Sequence, residues 1–287
     1  MVKAGKGNDD MQVIHNSKNP NAAKSKSWEC VRNARMQSRP QARDYIKKLA
    51  DEFFEVKGDR CLGNDDAIVT GVGRIMGRSF TIIGQHKGHT LEERKKCDFG
   101  MPHPAGYRKS MRAIGQAEKF NRPILCIIDT PGAFCGVEAE EQGQGTVIAE
   151  HLSFIAAAKV PVISIVIGEG GSGGALALAI SDRLMVMENT YFSVITPEGC
   201  ASILFKDASK AELAADSLAL TPDDLLRLKI ADHKIEEKSD FGLENMSYSV
   251  IKIKEKIEEY LKELDILSKE ELINKRYKKM LDMKGFN

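Results

Sequence analysis

The sequence predicts an α/β fold, with helices packed on a sheet. Three observations carry that expectation. An apolar β-branched stretch, Val162 to Ile167, runs into five glycines in seven residues, Gly168-Glu169-Gly170-Gly171-Ser172-Gly173-Gly174, and then into an apolar helix-former stretch, Ala175 to Ile180. Upstream, Ile124 to Ile128 reads as a short buried strand closing on the turn Asp129-Thr130-Pro131-Gly132. Strand and helix patterns alternate around these two as β, α, β, α, β, in a chain of 287 residues, long enough to bury a full core.

Taken in order, residues 1–27 are rich in Lys, Asn, Ser and Gly and are expected to form a flexible tail, since so few apolar side chains cannot offset the entropy of ordering. A helical zone follows from Trp28 to Phe54, with Tyr45, Ile46, Leu49, Phe53 and Phe54 at helical spacing. Ala67 to Ile83 reads as a hairpin turning near Met76-Gly77. Tyr107 to Phe120 is a helix ending at Asn121 before Pro123, and a second helix spans about Ala139 to Ala158. After the glycine turn and a short helix to Ile180, Leu184 to Met187 supplies a further strand. Thr221-Pro222-Asp223-Asp224 marks a helix start, with a capping Thr, a first-turn Pro and first-turn acids. Val250, Ile253, Ile257, Leu261 and Leu264 form an amphipathic stripe. Ser268 and Glu271 make a capping box for a last helix, whose basic residues Lys275, Arg276, Lys278 and Lys279 suit a helix C-terminus. The expected division is a tail over 1–27, a main domain over 28–248 with a helical N-terminal region, and a helical extension over 249–287.

Composition excludes several function classes. Lys and Arg number 42 against 41 Asp and Glu, a net charge of +1 with both signs interspersed, which argues against a nucleic-acid or membrane-surface binder. No stretch approaches the roughly 20 apolar residues of a membrane span, and the N-terminus lacks an apolar signal core, so a cytoplasmic protein is expected. Six scattered cysteines show no zinc spacing and read as free thiols; no metal site is expected.

Five glycines in one turn imply a need for bare backbone, either for φ > 0 or for close approach of a ligand to main-chain N–H groups. The first amides of a helix have no intrahelical partner and carry the positive end of its dipole, so this turn suits developing negative charge. The same run satisfies the dinucleotide fingerprint, with Glu188 twenty residues on. Against a pyrophosphate stand Glu169, whose charge at about 4 Å would repel by several kcal/mol, and the short helix that follows. No Lys follows the glycines, so the phosphate loop of nucleotide hydrolases is absent. Gly-Gly-Ser-Gly-Gly matches a nucleophile elbow around Ser172 only by register. A locally basic segment, Gln85-His86-Lys87-Gly88-His89 with Arg94-Lys95-Lys96 and Arg108-Lys109, reads as a solvated face, with contact to a substrate phosphate or carboxylate as the functional option.

Four blocks, Phe99 to Lys109, Ile128 to Ala133, Gly168 to Ala175 and Thr196 to Leu204, stand in the order and spelling that resemble the alpha subunit of the carboxyltransferase component of bacterial acetyl-CoA carboxylase, within the crotonase-like superfamily. The similarity runs from about Trp28 to Arg276-Tyr277. The resemblance implies a crotonase-type ββα spiral with flanking N- and C-terminal helices, and transfer of a carboxyl group from carboxybiotin on a separate carrier protein to acetyl-CoA, giving malonyl-CoA for fatty-acid synthesis. It implies no directly bound cofactor, ATP being used by a separate biotin carboxylase. It also implies a zinc-bearing beta subunit in an alpha2beta2 heterotetramer. On this reading Gly173 and Gly174 are oxyanion N–H donors, Gly170 and Gly171 shape the turn, and Gly132, Ala133, Lys87 and Arg108 bind substrate. The chain departs from the family where it usually reads Gly-His-Gln-Lys-Gly, having Gly84-Gln85-His86-Lys87-Gly88, and at Phe134-Cys135 and Glu138. These changes leave open a paralogue acting on another acyl-CoA, or a crotonase-like hydratase, isomerase or decarboxylase; a scaffold completing a complex is the non-enzymatic alternative.

Overall fold

The computed structural model describes residues 25–238, 240 and 242–283. The expected tail thus lies outside the described residues except for its last three, and of these Lys26 and Ser27 already belong to α1 (Lys26–Ala34), whose first turn Ser25 caps. After α2 (Ala42–Leu49) the backbone becomes extended at Ala50 and β1 (Glu52–Glu55) follows. Phe53 and Phe54, expected in the helical zone, are therefore strand residues. Their spacing matched a helix face, but Phe53 pairs across from Gly73 of the next strand and its ring reaches over Gly71, where a Cβ would stand only 2.5 Å from it.

The hairpin is present: β2 (Ile68–Ile75) pairs antiparallel with β3 (Arg78–Gln85) across Met76-Gly77, both at positive φ. From β3 onward the pairing is parallel. The chain passes through α3 (Leu91–Lys96) and α4 (Pro104–Lys119) to β4 (Ile124–Thr130), which lies beside β3. The single helix expected over 139–158 is two, α5 (Val137–Glu141) and α6 (Gln144–Ala156), because Gly143 takes φ +78° between them.

Next, β5 (Val162–Gly171) runs on through the first glycines and passes directly into α7 (Ser172–Ala179). The turn expected from Gly168 is consequently a strand as far as Gly171. Its extra length is held by Thr130 of β4 on one side and by a strand the sequence pattern did not reveal on the other. That strand, β7 (Tyr191–Ser193), follows β6 (Arg183–Met187), and at three residues it is too short to show a period. Helices α8 (Pro197–Phe205), α9 (Ala211–Ser217) and α10 (Pro222–Arg227) lead to an equally short β8 (His233–Ile235), then α11 (Met246–Leu264) and α12 (Lys269–Leu281). The capping boxes expected at Thr221 and Ser268 both form. Among the described residues the sheet has eight strands in the order β1-β2-β3-β4-β5-β6-β8, with β7 beside the end of β5.

Central strands are apolar on both faces, as a parallel sheet covered on both sides requires. Leu125, Ile127, Ile163, Ile165 and Ile167 meet α2 and the α11 stripe Val250, Ile253, Ile257, Leu261 and Leu264. Ile124, Cys126, Ile128, Val162 and Val166 meet α4, α6 and α7. Each such Ile or Leu contributes about 1.5–3 kcal/mol on burial.

The basic end of α12 differs from its expected role. Arg276 is buried, and its guanidinium donates to both oxygens of Asp182, at 2.9 and 2.7 Å, and to the carbonyls of Ile155, Ala156, Ala158 and Val160. It serves the open carbonyls at the end of α6 and beyond rather than the dipole of its own helix. Because removing either partner leaves a buried charge uncompensated, Arg276→Met and Asp182→Asn should each lower stability by about 3–5 kcal/mol. In urea unfolding the double variant should lose clearly less than the two singles added together; simple additivity would show that the pair is not coupled.

Candidate active site

Strands β3, β4 and β5 run parallel, so their C-terminal ends meet at one edge of the sheet, where ligands of open α/β sheets bind. Here the glycines answer to steric crowding. A Cβ on Gly171 would stand 2.1 Å from the Pro131 carbonyl oxygen, and one on Gly174 2.5 Å from the Ala133 nitrogen. Gly132 and Ala133 therefore lie hard against the start of α7, which brings them together with Gly171 and Gly174 as the sequence reading expected. Gly170 packs equally closely on Phe192 of β7. Gly173 is different: its nearest neighbour would be Ile148 Cγ2 at 3.9 Å, an ordinary contact.

The start of α7 is open. Its N-cap is Gly171, no side chain caps it, and Ser172 takes φ +52° as the chain leaves the strand. Ser172 is exposed and Gly173 half-buried. The amides of Gly173 and Gly174 belong to the first turn, where no carbonyl four residues back exists within the helix. Two N–H groups on a rigid, uncapped and otherwise apolar helix can receive an anionic oxygen.

Beside this edge lies a charge network the sequence reading did not assemble. Glu169 accepts from Lys87 Nζ at 2.8 Å, from Arg35 Nε at 2.8 Å and from the Tyr191 hydroxyl at 2.7 Å. Lys87 also pairs with Asp129 Oδ1 at 2.6 Å, and that same oxygen accepts the Glu169 amide at 2.9 Å. Arg35 extends the network to Glu198 of α8 at 2.6 Å. Burial opposes ionisation of Glu169, yet Lys87 and Arg35 outweigh it and hold its carboxyl down at about 2. Glu169 thus faces cations instead of an incoming phosphate, and Glu188, the other acid of the dinucleotide pattern, accepts the Glu237 amide.

Lys87 lines a cavity of about 210 Å³ with Arg35, Arg39, Arg94, Asp129 and Glu169; Gly173 and Gly174 are not among its walls. Arg108 is placed elsewhere. Its Nε donates to Asp59 Oδ2 at 2.9 Å, and Asp59 in turn anchors the amides of Cys61, Leu62 and Gly63. The basic segment is a solvated face only at Lys95 and Lys96, which are exposed. Gln85, His86 and Lys109 are buried, Lys87 is paired, and burial pushes the His86 imidazole down to about 4, leaving it neutral. All six cysteines are free. Among the described residues no cluster of His, Cys, Asp or Glu is arranged for a metal ion, and no helix is long and apolar enough to cross a membrane.

Comparison with known proteins adds independent findings. Residues 11–284 match the family model described as acetyl co-enzyme A carboxylase carboxyltransferase-like. The chain is 49% identical over 253 residues to the acetyl-coenzyme A carboxylase carboxyl transferase subunit alpha of Clostridium perfringens, covering 88% of this chain and 93% of that one. A relative in Clostridium tetani named as subunits beta/alpha is 47% identical, and the match covers 88% of this chain and 44% of that longer one. Among solved structures, transcarboxylase 12S superposes with a TM-score of 0.64 at 21% identity, over 79% of this chain and 42% of that chain. A Pseudomonas malonate decarboxylase hetero-tetramer in complex with coenzyme A gives 0.65 at 15% identity, over 81% and 90%. These likenesses carry the crotonase-type fold.

The folded pKa of Glu169 lies below its ordinary 4.5, so the stability it contributes is complete above that pH and drains away as pH falls toward 2. Glu169→Gln should be about 3 kcal/mol less stable than the native chain at neutral pH. Unfolding measured at stepped pH should show the gap narrowing below 4.5; a gap independent of pH would refute the charge assignment.

Proposed function

Since the chain belongs to the family of acetyl-CoA carboxylase carboxyltransferase alpha subunits, we propose that the first turn of α7 is its oxyanion-binding element. The chain is a carboxyl transferase subunit, and the reaction yields malonyl-CoA from acetyl-CoA for fatty-acid synthesis. In the transfer, the bond between ureido nitrogen and carboxyl carbon breaks, a bond from that carbon to the acetyl methyl carbon forms, and the methyl proton ends on the ureido nitrogen. Negative charge develops on the ureido oxygen and on the thioester oxygen, so donors fixed in advance at these points lower the barrier.

The observation that carries the reading is the pair of first-turn amides at Gly173 and Gly174, uncapped and braced by the loop at Gly132 and Ala133. In our reading they face the ureido oxygen of biotin brought by a carrier protein, while a zinc-bearing beta subunit supplies the thioester side within an alpha2beta2 assembly. Exposed Val194, Ile203 and Leu204 support a partner there, because they follow β7, the strand paired with Glu169 to Gly171. Gly170 and Gly171 then act as close-packing strand residues, and Lys87 acts through Glu169 and Asp129 instead of touching substrate. Arg108 supports the 59–63 loop. No cofactor is held by the chain itself in this scheme, and cytoplasmic action is in keeping with six free cysteines.

Position 173 has room for a side chain and 174 does not, so Gly173→Pro can delete one N–H of the first turn, with Gly173→Ala as the control that keeps it. With the beta subunit and carboxylated carrier supplied, the kcat of Gly173→Pro for malonyl-CoA formation should fall by about 10² to 10³. Native kcat in that variant would sink the oxyanion assignment, and malonyl-CoA formation without beta would sink the division of labour.

A further inference from the structure

Gln85 closes β3, and its side chain is wholly buried. Its Nε2 donates to the carbonyl of Gly174 over 2.7 Å, across 89 residues of sequence. Among the described residues this is the one side-chain hydrogen bond to the first turn of α7. A carbonyl at that place already accepts from the amide four residues on, so the added donor is not needed to satisfy it. What the bond restricts is direction. Gly174 lacks a Cβ and is the least restrained kind of residue about its own dihedrals. Gln85 Oε1, meanwhile, is buried without a partner, a cost that an apolar residue of the same length would avoid. A side chain kept at that cost for one bond is there for the bond.

The neighbouring residue cannot substitute. Successive strand side chains point to opposite faces, so of Gln85 and His86 only Gln85 faces α7. The order Gln then His decides which group meets the Gly174 carbonyl.

We infer that Gln85 is a positioning residue for carboxyl transfer: it holds the peptide that joins Gly174 to Ala175 and so, across the two dihedrals of Gly174, limits the swing of the preceding peptide, whose Gly174 amide stays aimed at the developing negative charge. This rests on the reading of α7 given above. Gln85→Met keeps length and apolar packing but removes the donor, and Gln85→Glu restores a donor only when its carboxyl is protonated.

In the reconstituted enzyme, with beta and carboxylated carrier, Gln85→Met should lower kcat about tenfold, less than loss of an oxyanion donor outright, and leave KM for acetyl-CoA within about twofold. The ratio of Gln85→Glu to native kcat should rise as pH is lowered from about 8 to about 6, because a buried carboxyl takes up its proton at raised pH. Native kcat in Gln85→Met, or a Gln85→Glu ratio flat with pH, overturns the inference. Gly173→Pro in the same assay separates the two levels. If it is impaired while Gln85→Met is not, only the positioning role falls; if it keeps native kcat, the oxyanion reading falls and the inference with it.

Discussion

The β4 loop and the start of α7 meet at separations no side chain would permit. With Pro131 oxygen 2.1 Å and Ala133 nitrogen 2.5 Å from where Cβ atoms would stand on Gly171 and Gly174, the two segments touch through main chain. Such contact has few adjustable parts. Rotamers cannot relax it, so the first-turn amides of α7 inherit the rigidity of the sheet, and preorganised donors are effective because they need no reorganisation when charge appears.

A second constraint holds the rear of the same edge. Glu169, Asp129 and Lys87 are largely withdrawn from water, with Arg35 half-buried beside them, and each buried charge is tolerable only while its partners stay in place. These partners come from α1, from the segment after β3, and from β4 and β5. The network therefore ties together elements far apart in sequence, and it does so under the strand that carries the glycines. Helix α1, outside the two central clusters, is held by Val31 and Ala34 packed with Tyr191, Ala215 and Leu220, and Arg35 ties it to the network.

Much of this was legible in the sequence where the signal is local. Capping boxes at Thr221 and Ser268, the hairpin turn at Met76-Gly77 and the α11 stripe each depend on residues within a few positions of one another, and each formed. The glycine run announced close approach but not its form, since a strand and a turn both use glycine; Thr130 of β4 and β7, invisible at three residues, pair with Glu169 to Gly171 and make it strand. Phe53 was misplaced because helical spacing persists past Ala50, where the backbone itself changes. Arg35 and Tyr191 carried no local mark at all. They lie 134 and 22 residues from Glu169, and nothing near either names its partner. Glu169 was visible only as an obstacle to phosphate; its partners turn it into a support.

The Arg276 clamp bears on the order in which the chain completes itself. Asp182 is made 94 residues, and the carbonyls at and after the end of α6 116 to 121 residues, before the guanidinium that joins them. On a ribosome, which releases the chain from its N-terminus, Asp182, just before β6, has the Val162 amide but no counter-ion until α12 emerges. A product cut short before α12 would hold nearly the whole sheet and yet lack its final counter-ion. A chain that carries α12 is thereby distinguished, by charge pairing, from one that stops short of it.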